Sequence, residues 1–96
     1  MRQLILRTKK PSIASSLVKE AIENELKLIK NSIAQLESTL KKFEGKYKLT
    51  SKRFYANYQK GKTSDDLDFI DWAGRYQLFL DLKEQYYHLK ELEICQ

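Results

Sequence analysis

Four carboxylates, Asp65, Asp66, Asp68 and Asp71, crowd into one short run of the chain. Carboxylates at that density raise the question of a metal, because hard cations take several oxygen ligands converging on one point. The spacing argues against one. No Gly interrupts the run as a calcium loop requires, and Asp68 and Asp71 share a helix face while Asp66 points elsewhere. The expected role is to start a helix, where acids meet the positive end of the dipole, and to pair with basic residues upstream. Neither a metal nor a cofactor is expected. His88, the only histidine, lies near Glu84 and Glu91 with no Cys or second His at ligand spacing. Cys95 has no disulfide partner, which fits a reducing compartment, and nothing beside it to lower its pKa. Ser15, Ser16, Ser32 and Ser38 lack a neighbouring base, and no Gly-rich phosphate loop is present. The expectation is that this protein is not an enzyme.

The other chemistry is in residues 41–72. Lys41 to Lys62 holds eight basic side chains and one acid, interleaved with Tyr47, Phe54, Tyr55 and Tyr58, before the aspartates arrive around Phe69 and Trp72. Two kinds of partner suit such a pattern. Lys46, Lys48, Lys52, Arg53, Lys60 and Lys62 are candidates for phosphate contacts, with Tyr55 or Tyr58 stacking on bases. Only one of those six cations is an arginine, however, and no helix-turn-helix or similar reading element appears. Alternatively the rings anchor a protein partner, since aromatic side chains dominate interface hot spots. Tyr55, Tyr58 and Trp72 are the candidate anchors, with Phe54, Asp66 and Asp68 beside them. A purely structural reading also fits: rings that plug the end of a helical hairpin while the lysines stay hydrated.

These residues need a scaffold, and the flanking sequence describes one. Ile22, Leu26, Ile29, Ile33, Leu36, Leu40 and Phe43 alternate spacings of four and three, a coiled-coil seam. One helix is predicted over 11–44, with Pro11 in its first turn and Gly45 as its stop. Thr50 or Ser51 caps a short helix over 51–60 that Gly61 ends, and a third helix covers 65–94. Its wheel carries two apolar stripes. Leu78, Leu82, Leu89 and Leu92 form one; Phe69, Trp72, Tyr76, Phe79, Leu80 and Tyr87 form the other. A helix lying on one neighbour needs a stripe of only ~100°. The expected architecture is therefore all-α: a long antiparallel hairpin with a short helix in the connection, a single domain that dimerises through its third helix into a helical bundle. Residues 1–10 are an N-terminal arm, and Leu4 to Leu6 are a candidate short strand with no partner in the chain.

Composition narrows the partner further. The net charge of +5 divides into 15 basic and 5 acidic residues over 1–62, and 3 basic and 8 acidic over 63–96. A hairpin brings these parts together, so basic charge alone is a weak argument for nucleic acid. No run approaches the ~20 apolar residues of a membrane span, and the apolar run near Met1 is short for a signal peptide. The expected setting is cytoplasmic, away from membranes.

One resemblance rests on residues 43–72. Phe43-Glu44, Lys46-Tyr47, Leu49-Thr50-Ser51, Phe54-Tyr55, Tyr58 and Gly61, then Asp65-Asp66-Leu67-Asp68-Phe69 and Trp72, resemble short helical proteins of bacteria and archaea encoded beside small toxins of the TumE type and regarded as their antitoxins. The likeness is densest over these 30 or so residues and looser over the first helix and arm. The family often has Gly after the KY pair, where this chain has Lys48. The resemblance implies a non-catalytic protein that neutralises a cognate toxin, a ribonuclease or nucleotidyltransferase-like protein, by binding it. The alternatives are a nucleic-acid-binding accessory protein using 46–62 and a structural coiled-coil adaptor.

Overall fold

A computed structural model describes residues 11–94 as three helices: α1 (Pro11–Tyr47), α2 (Ser51–Gln59) and α3 (Leu67–Ile94). The seam of α1 forms as its spacing requires. Leu26, Ile29, Leu36 and Leu40 are buried, and Ile22, Ile33 and Phe43 half-buried. They face α3, which returns antiparallel, while α2 packs mainly on α3 near the turn. The chain is thin, 58 × 22 × 20 Å. Its radius of gyration of 18.6 Å exceeds the ~12 Å of a compact domain of this length, so much of each helix stays open to solvent. No described helix is long and apolar enough to cross a membrane. The expected arm and strand at 1–10, and Cys95, lie outside the described residues.

The largest departure from the sequence reading is the end of α1. Gly45 does not stop the helix, which continues to Tyr47. A glycine inside a helix costs only about 1 kcal/mol. The extra turn carries Tyr47 onto Trp72, with ring centroids 5.7 Å apart, and edge-on to Phe69 at 5.0 Å. Contact on that scale outweighs the glycine. The turn falls instead at Lys48, whose φ of 54° is left-handed. The Leu49 amide then donates back to the Glu44 carbonyl at 3.3 Å, closing a Schellman motif in which Lys48 holds the place usually given to Gly.

Two caps fix α2. Thr50 Oγ1 accepts from the Arg53 amide at 3.2 Å, and Glu44 Oε2 accepts from the Ser51 amide at 2.8 Å, so a carboxylate from α1 sits at the positive end of α2. At the other end Gly61, at φ 70°, donates to the Tyr58 carbonyl, and Lys62 to that of Asn57, both at 3.0 Å. The Asp66 carbonyl opens α3, accepting from the Phe69 and Ile70 amides.

Where the three helices meet, Leu40, Phe54, Trp72 and Ala73 form the core, ringed by Phe43, Tyr47, Leu49, Phe69, Tyr76 and other half-buried side chains. Trp72 is its centre. It is fully buried, stacks on Phe54 at 3.9 Å with the planes 3° apart, and lies near-parallel to Phe43 at 5.4 Å. Its Nε1 donates to Ser51 Oγ at 2.9 Å, which satisfies both buried polar groups. Burying a ring of ~150–250 Å² at ~25 cal/mol per Å² is worth about 4–6 kcal/mol, a large share for so small a core.

Candidate protein-binding site

The aromatic stripe of α3 meets α1 and α2, and this decides which rings remain available. One of the three sequence-derived anchors, Trp72, and Phe54 beside it are buried. Trp72 is not an exposed hot spot but the core itself, and Phe54, 1% exposed, is its stacking partner. The reason is geometric: α2 folds over the turn and lays its apolar face on the stripe where Trp72 sits.

Tyr55 and Tyr58 are only half-buried. Tyr55 packs on Tyr76 at 5.2 Å, and its hydroxyl donates to Gln77 Oε1. Tyr58 leans on Phe54 at 5.7 Å. These contacts hold each ring by one side and leave the other toward solvent. Asp66 is exposed and its backbone begins α3, whereas Asp68 is tied down. Asp68 Oδ2 accepts from Lys46 Nζ at 2.7 Å and from Tyr47 Oη at 2.5 Å. Hydrogen bonds from Lys46 and Tyr47 hold its carboxyl below the usual range, and the bond to Asp68 raises both Lys46 and Tyr47 above theirs. Asp71 pairs with Arg75 on its own helix at 2.8 Å. Among the described residues no three His, Cys, Asp or Glu side chains converge as metal ligands.

The basic residues are exposed throughout 46–62, but they do not form one cluster with the aspartates. Lys46–Asp68 is the one salt bridge among the described residues that joins the basic part of the chain to the acidic part; the others lie within α3. Internal neutralisation is thus smaller than the charge division suggests. Lys48, Lys52, Arg53, Lys60 and Lys62 spread over the turn and the outer side of α2.

Farther down the hairpin the same flank that carries α2 opens into a shallow apolar groove. Ile33, Ala34, Tyr86 and Tyr87 line it, with Lys30, Lys83 and Glu37 at its edges. Tyr87 is 61% exposed and Leu80, one heptad above it, 40%. With Tyr55, Tyr58 and Tyr76 they extend the ring-bearing surface from α2 along α3. The groove residues were not singled out as a site from sequence. Leu80 and Tyr87 were visible as part of a stripe, but which stripe α1 would cover is a property of the packing. Ala34 carries the remaining signal: a small residue beside the α1 seam leaves room between the helices.

No protein-family model, no curated protein and no solved structure matches this chain.

Proposed function

We propose that this protein is a non-catalytic, cytoplasmic binding module that neutralises a small cognate toxin by covering it, as an antitoxin does. The observation that carries the reading is the ring-bearing flank along one side of a thin hairpin: Tyr55, Tyr58 and Tyr76 pack against the core yet keep part of their surface open, and Leu80 and Tyr87 are exposed. Half-exposed tyrosines offer large contact area at small entropic cost and keep a hydroxyl for a partner. The resemblance of residues 43–72 to antitoxins of TumE-type toxins supplies the class of partner. Lys48 supports it modestly, because a left-handed backbone stands where that family often has Gly. Lys30 and Lys83 beside the groove, with Lys52 and Arg53 on α2, suit an acidic partner surface.

Co-expression with the product of the neighbouring gene tests this reading. The pair is expected to co-elute, and to relieve any growth arrest that the neighbour causes alone. Replacing Tyr55, Tyr58 and Tyr87 together with Ala is expected to weaken the complex by at least ~100-fold, since hot-spot rings cost ~2 kcal/mol or more each. A complex that survives the triple change removes the flank as the site. A second reading, nucleic-acid binding, is favoured by the exposure of Lys48, Lys52, Arg53, Lys60 and Lys62. It requires a gel shift at low salt that Lys52→Glu/Arg53→Glu abolishes.

A further inference from the structure

The opposite flank of the hairpin has its own unfilled pattern. Leu78, Leu82, Gln85, Leu89 and Leu92 recur at spacings of four, three, four and three, a second heptad seam on α3 turned away from α2 and from the tyrosine groove. Leu82 and Leu89 are half-buried by α1, but Leu78 is 49% and Leu92 56% exposed. On the α1 side of this flank stand Leu28, itself 62% exposed, with Ser32, Gln35 and Thr39. No charge interrupts that edge, although nearly a third of the chain is charged.

We infer that this flank is the homodimer interface, with the α3 helices of two copies crossing antiparallel on a two-fold axis at Gln85. Three observations select a second copy as the occupant. First, the seam is close to palindromic about Gln85. An antiparallel copy sets Leu78 against Leu92 and Leu82 against Leu89, while Gln85 meets its own equivalent. A carboxamide both donates and accepts, so two of them opposed satisfy each other, and a single polar residue within an apolar seam is a known means of fixing register. Second, the charges agree. The antiparallel arrangement lays the Lys41–Lys48 end of one hairpin beside the open end of the other, where among the described residues Glu20, Glu23, Glu25, Glu91 and Glu93 outnumber Lys19, Lys27 and Lys90. A parallel arrangement would place the two basic ends together. Third, the area is within reach: the apolar seam from Leu78 to Leu92 spans ~21 Å and supplies the centre, and the polar remainder of the flank supplies the rim. A stable dimer buries ~800 Å² a side, which is ~40 Å of a flank ~20 Å wide, and the hairpin is 58 Å long. The tyrosine flank stays open on the outside of such a dimer, so the inference stands apart from the toxin reading.

Sedimentation equilibrium of the full chain tests it. The chain is expected to sediment at twice its 11.4 kDa mass at micromolar concentration. Leu78→Glu/Leu92→Glu is expected to raise the dimer dissociation constant by at least ~100-fold, because each dimer then holds four carboxylates in an apolar interface. Both leucines are about half exposed in the single chain, so the monomer should keep its helical circular dichroism. Tyr87→Glu, on the other flank, should leave the mass doubled. A wild-type monomer at tens of micromolar overturns the proposal, as does a Leu78→Glu/Leu92→Glu chain that stays dimeric. It is also overturned if Tyr87→Glu is the change that dissociates the dimer, or if the wild type is monomeric and the two leucine changes instead abolish binding of the neighbouring gene's product. Register is read separately. In a Cys95→Ser background, Gln85→Cys should oxidise to a disulfide-linked dimer and Leu80→Cys should not. A dimer in which Gln85→Cys fails to cross-link overturns the axis at Gln85.

Discussion

Asp68 joins the two ends of the chain's charge division, and its chemistry makes that join dependent on pH. The ionised carboxylate accepts from both Lys46 and Tyr47. Because these bonds lower its pKa in the folded state, their contribution is complete above the unfolded value near 4 and disappears as pH falls through the lower folded value. Tyr47 and Lys46 are shifted upward, so theirs is complete below about 10 and disappears as pH rises through the raised folded values. Urea midpoints measured from pH 2 to pH 11 are therefore expected to fall at both ends. Asp68→Asn should flatten the fall below pH ~4, and Tyr47→Phe should reduce the fall above pH ~10. An acid limb as steep in Asp68→Asn as in the wild type would show that the triad contributes nothing to it.

At the scale of elements, the termination of α1 carries the clearest lesson. Lys48 takes a left-handed φ of 54°, a conformation that costs a residue with a Cβ ~1 kcal/mol or more relative to Gly. Lys48→Gly is expected to stabilise the fold by about 1 kcal/mol, less a few tenths for the freer unfolded chain. For a domain of this size that raises Tm by roughly 4 °C, at fixed protein concentration. An unchanged or lower Tm in a thermal melt would show that the turn is not strained. The three helices were legible because each has a local cause: the 4-3 seam of α1, the Thr50 cap and Gly61 stop of α2, the aspartates ahead of α3. The passage of α1 through Gly45 was not, because Tyr47 gains its reason to be helical only once Trp72, from another element, lies beneath it. Trp72 itself was misread for the same cause. A wheel shows that α3 has two apolar stripes, but the order of the helices in space decides which one becomes core.

At the scale of the molecule, the hairpin is too thin to cover itself, and its uneven charge shapes how a partner approaches. One ion pair crosses between the basic and acidic parts among the described residues, so the cations of the turn and of α2 remain exposed. Exposed charge of one sign accelerates encounter with an oppositely charged surface and is screened beyond ~10 Å at 0.1 M salt. Contacts made by the tyrosines, in contrast, govern how long a complex lasts. For the proposed toxin partner, stopped-flow mixing is therefore expected to show association slowing by about tenfold or more between 50 and 500 mM NaCl, with dissociation changing less than threefold. Lys52→Glu/Arg53→Glu should lower the association rate and its salt dependence together. Tyr55→Ala/Tyr58→Ala should raise the dissociation rate while leaving association nearly unchanged. If salt acts mainly on dissociation, the cations belong to the contact itself, and the exposed lysines would be binding residues in their own right.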